Sequence, residues 1–396
     1  MTKLDTLPED IIIRIFAQTY PLYDKSLVEW RDALALLALS QSWRYATLPR
    51  AYQVLFIIDL FCYSSSNPVL RSIRYDLEYG GIPAPTNIGL IEGINHKKYV
   101  KQLVFKACQA NYLIAILIRV IDILKVTERE CLGVEALKQW SRIRFHENPV
   151  TPQLERESYS AAVTLGILLV QQFPSVQKMS IITREASDMQ LAFSTELLCQ
   201  YANQLTRIQY SGPMHFPEPI AAWQSLTHVD LELEDASEAQ MLKIDPRNLK
   251  SLSLMFYDVS FSWSYFVPDS TGVIPFDNLE SLKITRLKDD FPIPLGRQGA
   301  SARFPKLKHL EIGDTSFNAT EAKWMMDSPV QCLKLAGTAE DLLIFCQQGL
   351  QNIHTLEIRF AHIPSSHVEQ FFDSANSIFQ LTSGIAKVSA AFFTHT

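Results

Sequence analysis

Apolar residues in the C-terminal half of the chain recur in one spacing, apolar-x-x-apolar-x-apolar. The first copies are Val176, Met179, Ile181; Leu205, Ile208, Tyr210; Leu226, Val229, Leu231; and Leu249, Leu252, Leu254. The spacing continues at Leu279, Leu282, Ile284; Leu307, Leu310, Ile312; Val330, Leu333, Leu335; and Ile353, Leu356, Ile358. The last two apolar positions of each copy lie two residues apart, the period of a strand with one buried side. Successive copies start 29, 21, 23, 30, 28, 23 and 23 residues apart. Segments of helical composition lie between several of them, at 194–201, 320–326, 339–347 and 366–372. Strand, turn, helix and return predict one coil of a right-handed α/β solenoid, repeated along the chain.

The steps cluster around the 20–29-residue period of leucine-rich repeats. An aromatic-Pro or amide-bearing segment precedes several copies, as in Phe173 with Pro174, Phe276 with Asp277 and Asn278, and Phe304 with Pro305. The asparagine of the repeat consensus is mostly missing after the strands, so the chain resembles proteins with degenerate leucine-rich repeats and irregular turns. Upstream, residues 52–60 read as a first strand, and Val100, Leu103 and Phe105 begin another repeat. Residues 111–172 read as longer helices, with a charged, proline-containing loop at 146–157. Gly, Pro, Ser and Asn at 64–95 predict irregular loops, and residues 289–303 an insertion between two coils.

The first fifty residues have a different pattern. Thr6 can cap a helix, Pro8 is pre-set for its first turn, and Glu9 and Asp10 suit its positive end. Ile11, Ile12, Ile15 and Phe16 follow at helical spacing, and Leu36, Leu39 and Trp43 form the stripe of a second helix. A short third element ends near Pro49. Three helices in so short a segment bury too little apolar surface to stand alone, so the unit needs something to lean on. Leu7-Pro8 opening an acidic and aliphatic helix, and Trp43-Arg44 closing another, resemble the F-box family over roughly residues 3–52. The loop 19–31 is longer than usual for that family, and Ser40 stands where it most often has cysteine. The resemblance implies that Leu7, Pro8, Ile11, Ile15, Leu36, Leu39 and Trp43 contact a Skp-type adaptor or hold the helices that do. The layout expected is therefore an F-box at 1–52, irregular first repeats at 53–175 and a leucine-rich-repeat-like solenoid at 176–396.

Residues between the buried positions of each strand face the other way. They include Lys178 and Ser180, Arg207 and Gln209, His228, Asp230 and Glu232, Ser251 and Ser253, and Ser281 and Lys283. The series runs on through His309 and Glu311, Cys332 and Lys334, and Thr355, Glu357 and Arg359. Stacked coils would align them as a polar ladder of mixed sign on a concave face. Such a wall suits a protein or peptide partner, and Arg207, His228, Asp230, Glu232, Lys283, His309, Glu311, Lys334, Glu357 and Arg359 are its candidate contacts. The aromatic residues Phe256, Tyr257, Phe261, Trp263, Tyr265 and Phe266 are expected to pack beneath a coil, the other reading being an exposed anchor.

Composition narrows the function further. The 396 residues are 47% hydrophobic and 20% charged, as in a folded protein, and a net charge of −6 disfavours nucleic acid or anionic membrane as partner. The acids and proline of the first ten residues leave no apolar core for a signal peptide, and six scattered cysteines without a C-x-x-C pair suit a reducing compartment, cytosol or nucleus. Asn318-Ala319-Thr320 matches a glycosylation sequon, a chance match if the chain is not secreted. No hydrolase elbow, phosphate loop, dinucleotide fingerprint, zinc-protease or kinase motif occurs, so neither catalysis nor a cofactor or metal is expected. The resemblance implies the substrate-recognition subunit of an SCF-type ubiquitin ligase, joined through the adaptor to a cullin–RING assembly and holding a target protein. The alternative is a protein-interaction scaffold that never joins a ligase.

Overall fold

In the computed structural model, residues 8, 11–12, 43, 45–47, 53–58, 97–107, 117–118, 120–122, 124–145, 151–183, 188–212, 223–233, 244–257, 263–286, 301–313, 319–360, 368–382, 385 and 387–392 are described. The chain is mixed α/β and divides into two compact units, Met1–Leu205 and Thr206–Thr396.

In the first unit, strands β1 (Val54–Ile58), β2 (Gln102–Ala107) and β3 (Lys178–Thr183) pair in parallel. Register sets Leu55 beside Leu103 and Leu103 beside Met179, and all three are buried. Ser180, expected on an open face, is buried too. Its register partner is the apolar Val104, so this side of the strands is covered as well.

Parallel strands need long crossovers. The one between β2 and β3 holds α1 (Val134–Phe145) and α2 (Pro152–Gln172). The expected loop at 146–157 is shorter than the composition suggests, because α2 already begins at Pro152. Thr151 caps it, its hydroxyl accepting from the Leu154 N–H at 3.3 Å, and Pro152 fits a first turn that has no use for its missing donor. Small residues on the buried stripe of α2 (Ala161, Ala162, Gly166) let its neighbours approach closely. A Cβ on Gly166 would lie 3.2 Å from the Glu196 Cβ of α3 (Asp188–Tyr201). At Gly133, φ is +91° and a Cβ would meet the Glu157 carbonyl at 2.7 Å, so only glycine fits before α1. Phe105 of β2 and Phe193 of α3 bring their rings to 5.2 Å, tying sheet to helix.

In the second unit, β4 (Arg207–Ser211), β5 (His228–Leu233), β6 (Ser251–Phe256) and β8 (Ser281–Arg286) pair in parallel in that order. The sheet continues with β10 (His309–Gly313), β11 (Cys332–Gly337), β12 (Thr355–Phe360) and β13 (Lys387–Phe392). Two short strands, β7 (Val273–Pro275) and β9 (Ser301–Arg303), form a separate parallel pair. Residues 301–303, placed by composition in an insertion, are thus a strand; 289–300 lie outside the described residues. Helices α4 (Ala319–Met326), α5 (Ala339–Gln347) and α6 (Val368–Leu381) fill the last three crossovers of the larger sheet.

Every apolar residue of the recurring spacing is buried, from Val176 through Ile358, and none is more than 7% exposed. Each strand of the larger sheet from β5 to β12 pairs with its neighbour at the equivalent repeat position, with Leu252 beside Leu282, Leu282 beside Leu310 and Leu310 beside Leu333. The register is set one residue before each strand. The Thr227 carbonyl accepts from the N–H groups of Lys250 and Ser251, the Lys250 carbonyl from Glu280 and Ser281, and the Glu280 carbonyl from Lys308 and His309. A one-residue slip would exchange every buried leucine for a polar side chain, which pins this pairing.

Candidate protein-binding face

Strands β5, β6 and β11 alternate half-exposed and buried residues throughout. Parallel sheets usually carry cover on both faces and read as continuous apolar runs. Here one face holds the leucine layers, and the other is polar and half-exposed.

Register sorts the residues that alternate with the leucine layers into rows that cross the strands. One row runs Arg207, His228, Ser251, Ser281, His309, Cys332, Thr355. The next runs Gln209, Asp230, Ser253, Lys283, Glu311, Lys334, Glu357. A third runs Ser211, Glu232, Met255, Thr285, Gly313, Ala336, Arg359. All ten residues expected to face a partner therefore fall on these three rows, and each is exposed or half-exposed.

Charge is patterned along the middle row, where Lys283, Glu311, Lys334 and Glu357 alternate in sign on β8, β10, β11 and β12. Lys283 bridges Glu311 at 2.8 Å and Lys334 bridges Glu357 at 3.3 Å. Arg359, two residues along β12, also grips Glu357, at 2.6 Å. Hydrogen bonds from Arg359 and Lys334 hold the Glu357 carboxyl below the usual carboxylate range. At the β5 end the Tyr257 hydroxyl donates to the Glu232 carboxylate, and the Thr227 hydroxyl lies 2.8 Å from the His228 Nδ1.

Two features of the second unit go beyond what the sequence displays. Asparagines just before the recurring spacing link one copy of it to the preceding one: the Asn248 amide donates to the Gln224 carbonyl at 3.3 Å, and Asn278 to the Arg247 carbonyl at 2.9 Å. The amide-bearing segment of Asn278 stands out in the sequence, but its bond to the preceding copy, and the part played by Asn248, do not. Glu321 is the second feature, a buried carboxylate among aromatic rings. Of the expected aromatic cluster, Phe256, Trp263, Tyr265 and Phe266 are buried and Tyr257 is half-buried, while Phe261 lies outside the described residues. The buried members pack beneath the strands, with Trp263 ringed by Phe266, Phe276, Phe304 and Trp324 at centroid distances of 6.0 to 6.4 Å.

Of the adaptor-contact residues the resemblance implies, Leu7, Ile15, Leu36 and Leu39 lie outside the described residues. Pro8 is exposed, and its carbonyl accepts from the N–H groups of Ile11 and Ile12 in a first helical turn. Ile11 is half-buried. Trp43 is only 3% exposed and clusters with Ile12 and Ala46, so its ring holds helices together. The exposed aromatic beside it is Tyr45, at 69%, which the apolar stripe did not single out.

Burial pushes the Cys131 thiol up to about 11 and the Cys346 thiol up to about 12, which makes both poor nucleophiles at neutral pH. Among the described residues no three His, Cys, Asp or Glu side chains converge to hold a metal ion, and no helix is long and apolar enough to cross a membrane. No protein-family model matches the chain, and no curated protein matches it significantly.

Proposed function

We propose that this chain is the substrate receptor of an SCF-type ubiquitin ligase. In this reading, residues 1–52 are an F-box that docks a Skp-type adaptor, and a leucine-rich-repeat-like solenoid holds the target protein. The observation that carries the receptor half is one-sided burial in a parallel sheet. Coils stacked in register bury one leucine layer each and leave an extended polar wall, the surface such repeats use for partners. The docking half rests on the F-box resemblance of Leu7-Pro8 and Trp43-Arg44. The exposed Pro8 and half-buried Ile11 support it, as does the packing of Ile12 on Trp43, which gives the short helices a common anchor. A receptor needs no catalytic group of its own, because it contributes proximity between target and charged conjugating enzyme.

The test is co-expression of the full chain with a Skp-type adaptor, alongside a Leu7→Ala, Pro8→Ala, Ile11→Ala variant. Capture of adaptor and cullin by the parent, with loss in a variant of unchanged circular dichroism, is the expected result. Equal capture by both chains moves the contact elsewhere. Adaptor capture without cullin turns the reading to a scaffold, and no capture by either removes the F-box.

A further inference from the structure

The alternating row can be read for the shape of what it holds, given that this face is the target site. Lys283, Glu311, Lys334 and Glu357 sit on four adjacent strands, at equivalent positions in the register. Neighbouring strands lie about 4.8 Å apart, so the row spans about 14 Å with a change of sign at every strand. The side chains are 26 to 45% exposed, within reach of a partner although each is already paired in the plane of the sheet.

Beside the charged row, the third row is low. Thr285, Gly313 and Ala336 are its residues on β8, β10 and β11, and Arg359 closes it on β12. Gly313 has no side chain, and the Thr285 methyl lies over it: a Cβ there would come within 2.9 Å of the Thr285 Cγ2. The result is a shallow trough across the strands, walled on one side by alternating charge and at one end by an arginine.

Two regular ligand backbones could lie along this trough, and their repeats decide between them. An extended peptide shows one face every second residue, about 6.7 Å, so four successive side chains span about 20 Å and run some 6 Å past the row. A helix shows one face at positions i, i+3, i+7 and i+10, which span about 15 Å at 1.5 Å per residue. Long Glu and Lys side chains absorb the remaining difference of about 1 Å. The low row also gives the helix barrel somewhere to sit.

We propose that the trough along Thr285, Gly313 and Ala336 seats an α-helix of the target protein, lying across the strands. The helix presents acid, base, acid and base at i, i+3, i+7 and i+10 toward Lys283, Glu311, Lys334 and Glu357. Because each row charge is paired in the sheet, the contact discriminates by pattern: a helix whose charges are grouped by sign meets repulsion at two of the four positions.

The test uses the full chain and two helix-stapled peptides of identical composition, measured by fluorescence anisotropy at low salt. One alternates acid and base at i, i+3, i+7 and i+10. The other places two acids and then two bases at the same positions. A third, unstapled peptide alternates acid and base at every second residue. The parent is expected to bind the alternating helix about tenfold more tightly than the grouped one. The double swap Glu311→Lys with Lys334→Glu keeps the net charge and groups the row by sign, and it is expected to reverse that preference. Tighter binding of the extended peptide, equal binding of both helices, or no binding of either would overturn the helix. Adaptor capture does not depend on this row, so a failure of the ligase reading would appear there instead.

Discussion

The indole N–H of Trp263 donates to the carboxylate of Glu321 at 2.9 Å, with both residues at most 5% exposed. The bond ties a short 3-10 turn after β6 to the start of α4, 58 residues further on. A buried carboxylate is costly to leave without donors, and a buried indole donor likewise. Glu321→Ala should therefore lower unfolding free energy by about 2 kcal/mol, by removing the acceptor of this Trp263 bond and leaving a cavity. Glu321→Gln keeps an acceptor on a side chain of the same shape and should cost clearly less. Urea unfolding followed by Trp fluorescence checks both, and equal losses would show that a neutral acceptor of the same volume cannot replace the Glu321 carboxylate.

Tyr201 closes the first unit in a comparable way. Its ring is fully buried, its hydroxyl donates to the Phe173 carbonyl at 3.0 Å, and burial pushes its phenol well above the usual range. The bond joins the end of α3 to the residue that terminates α2. Tyr201→Phe retains the ring and strands the carbonyl, so a loss of about 1–2 kcal/mol is expected, with faster hydrogen exchange at the C-terminal turn of α2. Unchanged exchange there would show that water or another donor replaces the hydroxyl.

Much of this organisation is legible in the sequence because a single period carries it. The spacing of Leu249, Leu252 and Leu254 recurs along the sheet, and a parallel register aligns copies wherever each must bury the same three positions. The ladder of Lys283, Glu311, Lys334 and Glu357 follows from that alignment with no further information. What escapes the pattern depends on single atoms. The loop expected at 146–157 is shortened because Thr151 offers one oxygen to Leu154, which decides where α2 starts. Ser180 resembles every other polar residue between two apolar ones, and its burial depends on what covers Val104 beside it. Glu321 sits on a helix correctly placed by composition, but its acceptor role is fixed by a tryptophan far away in sequence.

Gly313 and Thr285 offer a separate check on how the face is built. Since a Cβ at position 313 would lie 2.9 Å from the Thr285 Cγ2, Gly313→Ala should cost about 1 kcal/mol or somewhat more. Thr285→Ser removes the offending methyl, and combining it with Gly313→Ala should recover most of the loss. A double-mutant cycle on urea midpoints measures the coupling. Additive effects would mean that the β10 backbone moves away instead, and would also weaken the case for a fixed trough beside the charged row.

The last expectation concerns acid. Lys334 and Arg359 hold the Glu357 carboxyl below its ordinary value of 4.5, so the folded chain releases that proton more readily than the unfolded one. A group lowered in this way contributes stability above about 4.5, and the contribution fades as pH falls through the lowered folded value. Glu357→Gln should therefore be less stable than the parent near neutral pH, by about 0.5 kcal/mol because the pair is partly open to solvent. The gap should narrow as pH drops, and at strongly acid pH the two chains should unfold alike. Added salt should shrink the neutral-pH difference, since the bridges are only half-buried. Urea midpoints across a pH series decide the matter: a gap that widened toward acid would mean that Glu357 is raised in the folded chain, and that its bridges to Lys334 and Arg359 do not form in solution.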